Sequence, residues 1–345
     1  MKGFPEIFIV VVPVLIFLAG LFLLDSFKLV KPGAILISLF FGCIIAFPAY
    51  LINHWLLTTI KIDPVYFQRY AAPFIEESLK FTFLVFIIKS NKVGFVVDSA
   101  ITGFSVGAGF SVIENLYYLQ FVPESNLLIW LIRGFGTAIL HGGTVSLAAI
   151  ISKNICEWKN NTNILNFIPG LSMAIIIHSL FNFFLLTPVL STLLILILFP
   201  ILLYISFETS EKLLKKWLGI GFDSDVQILE MIRSGKVLNS RIGDQLIALK
   251  SKISGEILAD ILCYMRIFVE LSISAKGTLL MKESGFRVKR NIDVENKFRE
   301  FEYLKKSIGR TGILIVRRFL HTTSRDLWQI YMLQGLIDRR GIKKQ

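Results

Sequence analysis

The chain reads as an all-α protein: a polytopic transmembrane helical bundle of about seven spans, followed by a small helical cytoplasmic domain. Three observations predict this class. More than half of the 345 residues are hydrophobic. Apolar runs long enough to cross a bilayer, about 20 residues each, recur through the first 207 residues. Residues 208–345 instead mix polar and apolar positions, with the apolar ones at helical spacing.

The expected spans lie near 5–24, 33–55, 70–88, 93–119, 126–152, 164–187 and 188–207. The first follows Lys2 and ends near Ala19-Gly20, as a secretory signal would. Cleavage there would leave Lys28 and Lys31 outside, against the positive-inside rule, so an uncleaved helix is expected. The long fourth and fifth spans are tilted or broken at their glycines. Thr187-Pro188 divides the last two into a helical hairpin, because proline cannot continue a helix. The run Phe207 to Lys212 carries the seventh helix out of the bilayer. The 208–345 domain contains helical patterns around Val226–Ile232, Leu246–Ile253 and Ile257–Ser274, punctuated by glycines. Ile313–Val316 is too short to span and reads as a buried or surface-docked helix.

Loop charge sets the expected orientation. Lys28 and Lys31 follow span 1, Lys89 and Lys92 follow span 3, and Lys153 and Lys159 follow span 5; the loop at 120–125 carries only Glu124. A multi-pass protein of the cell membrane follows, with its N-terminus outside and everything after span 7 in the cytoplasm. Lys61 and Arg69 dissent, partly offset by Asp63. Of the net charge of +12, residues 208–345 hold +10. A basic domain beside anionic headgroups accounts for that excess. No zinc-finger spacing or aromatic RNA-binding motif accompanies it, which argues against a nucleic-acid partner. Cys43, Cys156 and Cys263 have no metal-binding spacing and read as ordinary thiols.

The informative residues are ionisable groups inside the spans: Glu76, Glu77, Lys80, Asp98, Glu114, Arg133, His141 and His178. A carboxyl in hydrocarbon costs roughly 2.5–3.5 kcal/mol on insertion scales, so adjacent Glu76 and Glu77 need a reason to be there. Each group has a plain explanation. Lys80 can neutralise Glu76 one turn away, Arg133 can pair with Glu114, Asp98 can be interfacial, and a membrane histidine can bond a neighbouring helix. Taken together, however, the groups converge. In the topology above, Glu76 and Glu77 lie about 9–11 Å below the outer end of span 3, and Glu114 about 7–8 Å from that of span 4. His178 lies about 13 Å deep in span 6, and His141 about 22 Å along span 5. Glu76 and Glu77 point about 100° apart, so one can face a cavity while the other holds a helix. His178 and Asn182 share a helix face, and Glu114-Asn115 pairs an acid with an amide. Two histidines and a carboxylate suit Zn²⁺ with a position left for water, a second carboxylate could act as general base, and Asn182 could stabilise an oxyanion. Glycines 103, 107, 109, 134, 136, 142 and 143 permit the close helix approach this needs.

The motifs Glu76-Glu77-x-x-Lys80, Phe110-x-x-x-Glu114-Asn115 and His178-x-x-x-Asn182, with His141 between the last two, resemble those of the PrsW family of intramembrane proteases. That family is related to the CAAX-protease and bacteriocin-processing superfamily. The resemblance covers roughly residues 40–190. It implies Glu76, Glu77 and His178 as catalytic, with Asn182 in support. Glu114 and His141 complete a site in which His141, His178, Glu114 and Glu77 are the candidate ligands of a divalent metal, zinc above all. Lys80, Asn115 and Arg133 stand around it. The implied reaction is cleavage of a membrane-anchored protein, as in the first cut of an anti-sigma factor on the extracytoplasmic side. CAAX proteases carry a histidine where this chain has Glu114. The domain at 208–345 lies outside the family core and suits regulation, a cytoplasmic partner or oligomerisation. Two other classes stay open: a proton- or ion-coupled transporter, which also uses buried Glu/His relays, and a non-catalytic membrane scaffold or sensor.

Overall fold

A computed structural model describes residues 4–25, 27, 29–121, 127–183, 185–249, 253–286, 291–320 and 322–341. Lys2, Lys28 and Glu124, used in the topology argument, lie outside the described residues. The chain divides into two compact units, Met1–Glu211 and Lys212–Gln345, and no strand occurs among the described residues.

The first unit contains α1 (Phe4–Leu24), α2 (Pro32–Trp55), the single turn α3 (Pro64–Tyr66), α4 (Ala72–Lys89), α5 (Val96–Phe121), α6 (Leu127–Leu131), α7 (Ala138–Trp158), α8 (Ile168–Asn182) and the beginning of α9 (Pro188–Arg233). Proline opens α2 and α9, where a missing N–H is harmless. Among the described residues, six helical stretches are long and apolar enough to cross a membrane, so the protein is a multi-pass membrane protein. Helix α4, the remaining expected span, has 18 residues and includes Glu76, Glu77, Lys80 and Lys89. Helix α8 ends at Asn182, five residues short of the expected boundary, and this puts His178 one turn from its end.

The expected break in span 5 is a change of winding. Between α6 and α7 the backbone stays helical but widens to π-helix over Ile132–Thr137, a stretch that includes Gly134 and Gly136. Two further π-helical stretches, Leu56–Ile60 and Phe67–Ala71, lie between α2 and α4. Helix α5 runs unbroken through its three glycines.

Helix α5 is the axis of this unit. It packs against α1, α2 and α7, and its first sixteen residues are all buried. A helix so rich in hydroxyls tolerates that position because Ser99, Thr102, Ser105 and Ser111 donate to carbonyls three or four residues back in their own helix. Its small residues let backbones meet. A Cβ on Gly107 would lie 2.1 Å from the His141 carbonyl oxygen of α7, and one on Gly109 would lie 1.9 Å from the Leu39 carbonyl oxygen of α2. The outer helices α2, α8 and α9 present Phe40, Phe47, Ile176, Leu180, Ile197 and Leu198 outward, an apolar surface suited to lipid.

The second unit contains the rest of α9, α10 (Arg241–Leu249), α11 (Gly255–Glu283), α12 (Ile292–Phe319) and α13 (Ser324–Gly341). Ile313–Val316 belongs to the second half of α12, which is kinked at Gly309, where φ is +59°. Tyr264 of α11 stacks on Phe301 of α12 with ring centroids 4.7 Å apart. Buried Lys276 donates to Asp225 (2.6 Å) and to the Gly221 carbonyl (3.0 Å), so its charge is matched. Glu270 accepts from Arg233 (2.8 Å) and Lys297 (3.1 Å). Burial opposes ionisation of Glu270, but these two partners outweigh it and hold the carboxyl below its usual range.

Gly107→Ala should cost about 1–3 kcal/mol through overpacking against the α7 backbone, read as a lowered unfolding midpoint in detergent. Gly219→Ala, with nothing within 4 Å of its added methyl, should leave the midpoint unchanged or raise it. Because the Glu270 carboxyl is depressed in the folded state, its contribution is present above about pH 4–5 and is lost as pH falls through the folded value. Glu270→Gln should therefore lower stability at neutral pH by about 1 kcal/mol and flatten the acid limb of a midpoint-versus-pH curve.

Candidate metal centre and active site

Helices α4, α5, α7 and α8 each bring an acidic or imidazole group to one cluster. On α4, Glu77 is 1% exposed, and both its oxygens are engaged. Lys80 Nζ donates to Oε1 at 2.6 Å, His178 Nδ1 donates to the same oxygen at 2.8 Å, and Thr144 Oγ lies 3.2 Å from Oε2. Thr144 also lies 3.1 Å from the His141 carbonyl, so its single proton serves one acceptor at a time. Lys80 thus pairs with Glu77 at i,i+3, not with Glu76 at the expected i,i+4. Its ammonium is fully buried, lies 2.8 Å from His141 Nδ1 and sits 4.4 Å over the Phe110 ring.

These contacts fix tautomers. Lys80 can only donate, so His141 Nδ1 accepts and the proton resides on Nε2, which faces Glu114 Oε2 at 2.8 Å. His178 donates through Nδ1 to Glu77, leaving Nε2 as its acceptor. A histidine oriented in this way by a carboxylate is the arrangement that supports metal ligation. The two imidazole rings stand edge to face, 4.9 Å apart.

Glu76 points elsewhere. It accepts from Asn53 Nδ2 of α2 at 3.1 Å and lines a cavity of about 860 Å³. His141, His178, Glu114, Arg133 and Asn182 share that lining, together with Tyr50, Phe110, Tyr117 and Tyr118. One potential ligand atom each from Glu76, His141 and His178 fall within 4.8 Å of one another, and all three residues are buried. This two-histidine, one-carboxylate donor set fits a divalent metal with a position left open. Both His141 nitrogens are already engaged: Nδ1 can ligate only if the Lys80 contact opens, and Nε2 only if its proton also moves to Nδ1.

Of the other expected residues, Arg133 reaches Glu114 Oε1 at 3.4 Å and donates to Asn115 Oδ1 at 3.1 Å. Asn182 donates to the Gln68 carbonyl at 2.9 Å. Asp98 lies apart from the cluster, where it caps the start of α5 by accepting from the Gly94 and Phe95 amides at 2.9 and 3.2 Å. Asn53, Thr144, Tyr118 and Gln68 also belong to the site but carry no sequence signal: each is an ordinary polar residue whose role depends on which helix lies beside it.

A buried Glu/His centre opening into a cavity within membrane-length helices defines a class of polytopic proteins able to hold a catalytic metal inside the bundle. Comparison with known protein families matches residues 31–205 to the PrsW family of intramembrane metalloproteases. The chain belongs to that family. No curated protein and no solved structure matches it.

Removing Lys80 would leave Glu77 buried without its closest cation. Lys80→Met should lower the unfolding midpoint by an amount equivalent to about 3–5 kcal/mol, and adding Glu77→Gln should restore much of it. Equal midpoints for wild type and Lys80→Met would remove Lys80 as the counter-charge.

Proposed function

We propose that the protein is an endopeptidase that hydrolyses a peptide bond of a membrane-anchored protein, with Glu76, His141 and His178 holding a divalent ion. The observation that carries this reading is the approach of those three donors inside a cavity of the helical bundle. Zinc is the ion favoured by the donor set. A bound ion would supply Lewis acidity toward the scissile carbonyl and make water easier to deprotonate.

The chain's own groups divide the remaining work. Glu77 has no vacant oxygen and keeps the His178 ring in register. With Glu76 among the ligands, Glu114 is the carboxylate left on the cavity wall to take a proton from water. Asn182 has a second amide N–H beyond the one given to Gln68, suited to a developing oxyanion. The cavity's aromatic lining suits an unwound apolar peptide segment and limits competing water.

Helix α4 completes seven crossings, with the N-terminus outside and the second unit in the cytoplasm, free to meet a partner there. Glu76, Glu114 and His178 lie roughly 6–10 Å from the helix ends Ala72, Phe121 and Asn182, which in that topology all face outward. This supports a site in the outer half of the cell membrane and an anti-sigma-factor-like substrate. Kinship with the CAAX-protease superfamily is part of the proposal on the Glu76-Glu77 and His178-x-x-x-Asn182 motifs alone.

In liposomes carrying a membrane-anchored reporter, Glu76→Gln and His178→Ala should each reduce cleavage by about 10²–10⁴-fold, with Glu76→Gln preserving the unfolding midpoint to within a few degrees. Chelation should silence the wild type, and added zinc should restore it. Full cleavage by either variant would refute the assignment, and ion flux without cleavage would point to a transporter.

A further inference from the structure

We infer that Arg133 is a positioning residue of the metal centre, clamping Glu114 by the oxygen that His141 does not use and so governing how His141 is presented to an ion. This rests on the metal-centre reading above. The guanidinium meets one turn of α5 at three points, an ion pair, a hydrogen bond and a ring contact. Nη2 lies 3.4 Å from Glu114 Oε1, Nε donates to Asn115 Oδ1 at 3.1 Å, and the guanidinium carbon sits 3.8 Å over the Tyr118 ring. Glu114 Oε2 meets His141 Nε2 at 2.8 Å. The carboxylate is therefore held between two residues of one helical segment.

The π-helical stretch explains how both residues reach the same partner. Arg133 and His141 are eight positions apart, which in a regular α-helix places them roughly 80° apart around the axis. A π-helical turn absorbs about one extra residue, so the effective spacing becomes about seven and the two directions converge to roughly 20°. Ile132–Thr137 is such a stretch, lying between α6 and α7 with Arg133 inside it. Its local winding aims Arg133 and His141 at Glu114 together.

The consequence concerns metal affinity. Without Arg133, the partly exposed Glu114 carboxylate has only the His141 N–H to hold it, and it competes with an ion for that nitrogen. With Arg133 present, the carboxylate has an alternative counter-charge on the cavity wall and can release the ring, whose proton then moves from Nε2 to Nδ1, in place of the Lys80 contact, so that Nε2 can ligate.

Zinc titration of the purified full-length protein against a chromophoric chelator tests this in four versions: wild type, Arg133→Gln, Glu114→Gln and the double variant. Arg133→Gln should weaken zinc binding by about 10–100-fold, with Arg133→Lys intermediate because it keeps the charge and loses the fork. In the Glu114→Gln background, Arg133→Gln should change affinity by less than about threefold, since the group it holds is already neutral. An equal loss in both backgrounds, or no loss in either, overturns the clamp while leaving the metal reading intact. A wild type that binds no zinc overturns both. If Arg133→Gln does not fold, the Arg133→Lys titrations in the two backgrounds make the same comparison.

Discussion

The Glu77 carboxylate, closed off from solvent inside the bundle, is the constraint on which the site depends. A buried charge is tolerated only when its lone pairs and its charge are matched, and Glu77 is matched by Lys80 from its own helix, Thr144 from α7 and His178 from α8. Three helices are thus tied to one side chain. Several features follow from it. Glu76, one position away and about 100° around the helix, is turned toward the cavity. His178 is held with Nε2 as its open nitrogen, and Lys80, held by Glu77, sets the proton position on His141. A network of Arg133, Glu114, His141, Lys80, Glu77 and His178 runs through the bundle, two ion pairs each followed by an imidazole, and Glu76 stands outside it.

That network requires helices closer than large side chains allow. The backbones of α2, α5 and α7 meet at Gly107 and Gly109, and the hydroxyls of α5 are satisfied within their own helix. The same small-residue core that packs the bundle in lipid, where apolar burial offers little net drive, also brings Glu114 within bonding distance of His141. Packing and site geometry are here one property.

Much of this was legible in the residues, and the rest was not, for identifiable reasons. Membrane helices declare themselves by length and composition, and adjacent carboxyls within one declare a polar interior, so the helical class, the multi-pass character and the candidate residues could be read directly. The 100° divergence of Glu76 and Glu77 follows from helix geometry alone. Pairing was less accessible: Lys80 is within one turn of both glutamates, and only the neighbouring helices decide in favour of Glu77. The π-helical stretches have no sequence signature, so the convergence of Arg133 and His141 could not be anticipated from an eight-residue spacing. Asn53, Thr144 and Gln68 contribute through neighbours distant in sequence, which a single chain read residue by residue does not reveal.

X-ray absorption spectroscopy of the purified, zinc-loaded protein decides whether Glu76, His141 and His178 form one metal-holding centre. The expected spectrum shows a first shell of nitrogen and oxygen only, with multiple-scattering features of two imidazoles that fall to one in His178→Ala. A shell containing sulfur, or a spectrum unchanged by removal of His178, would contradict it.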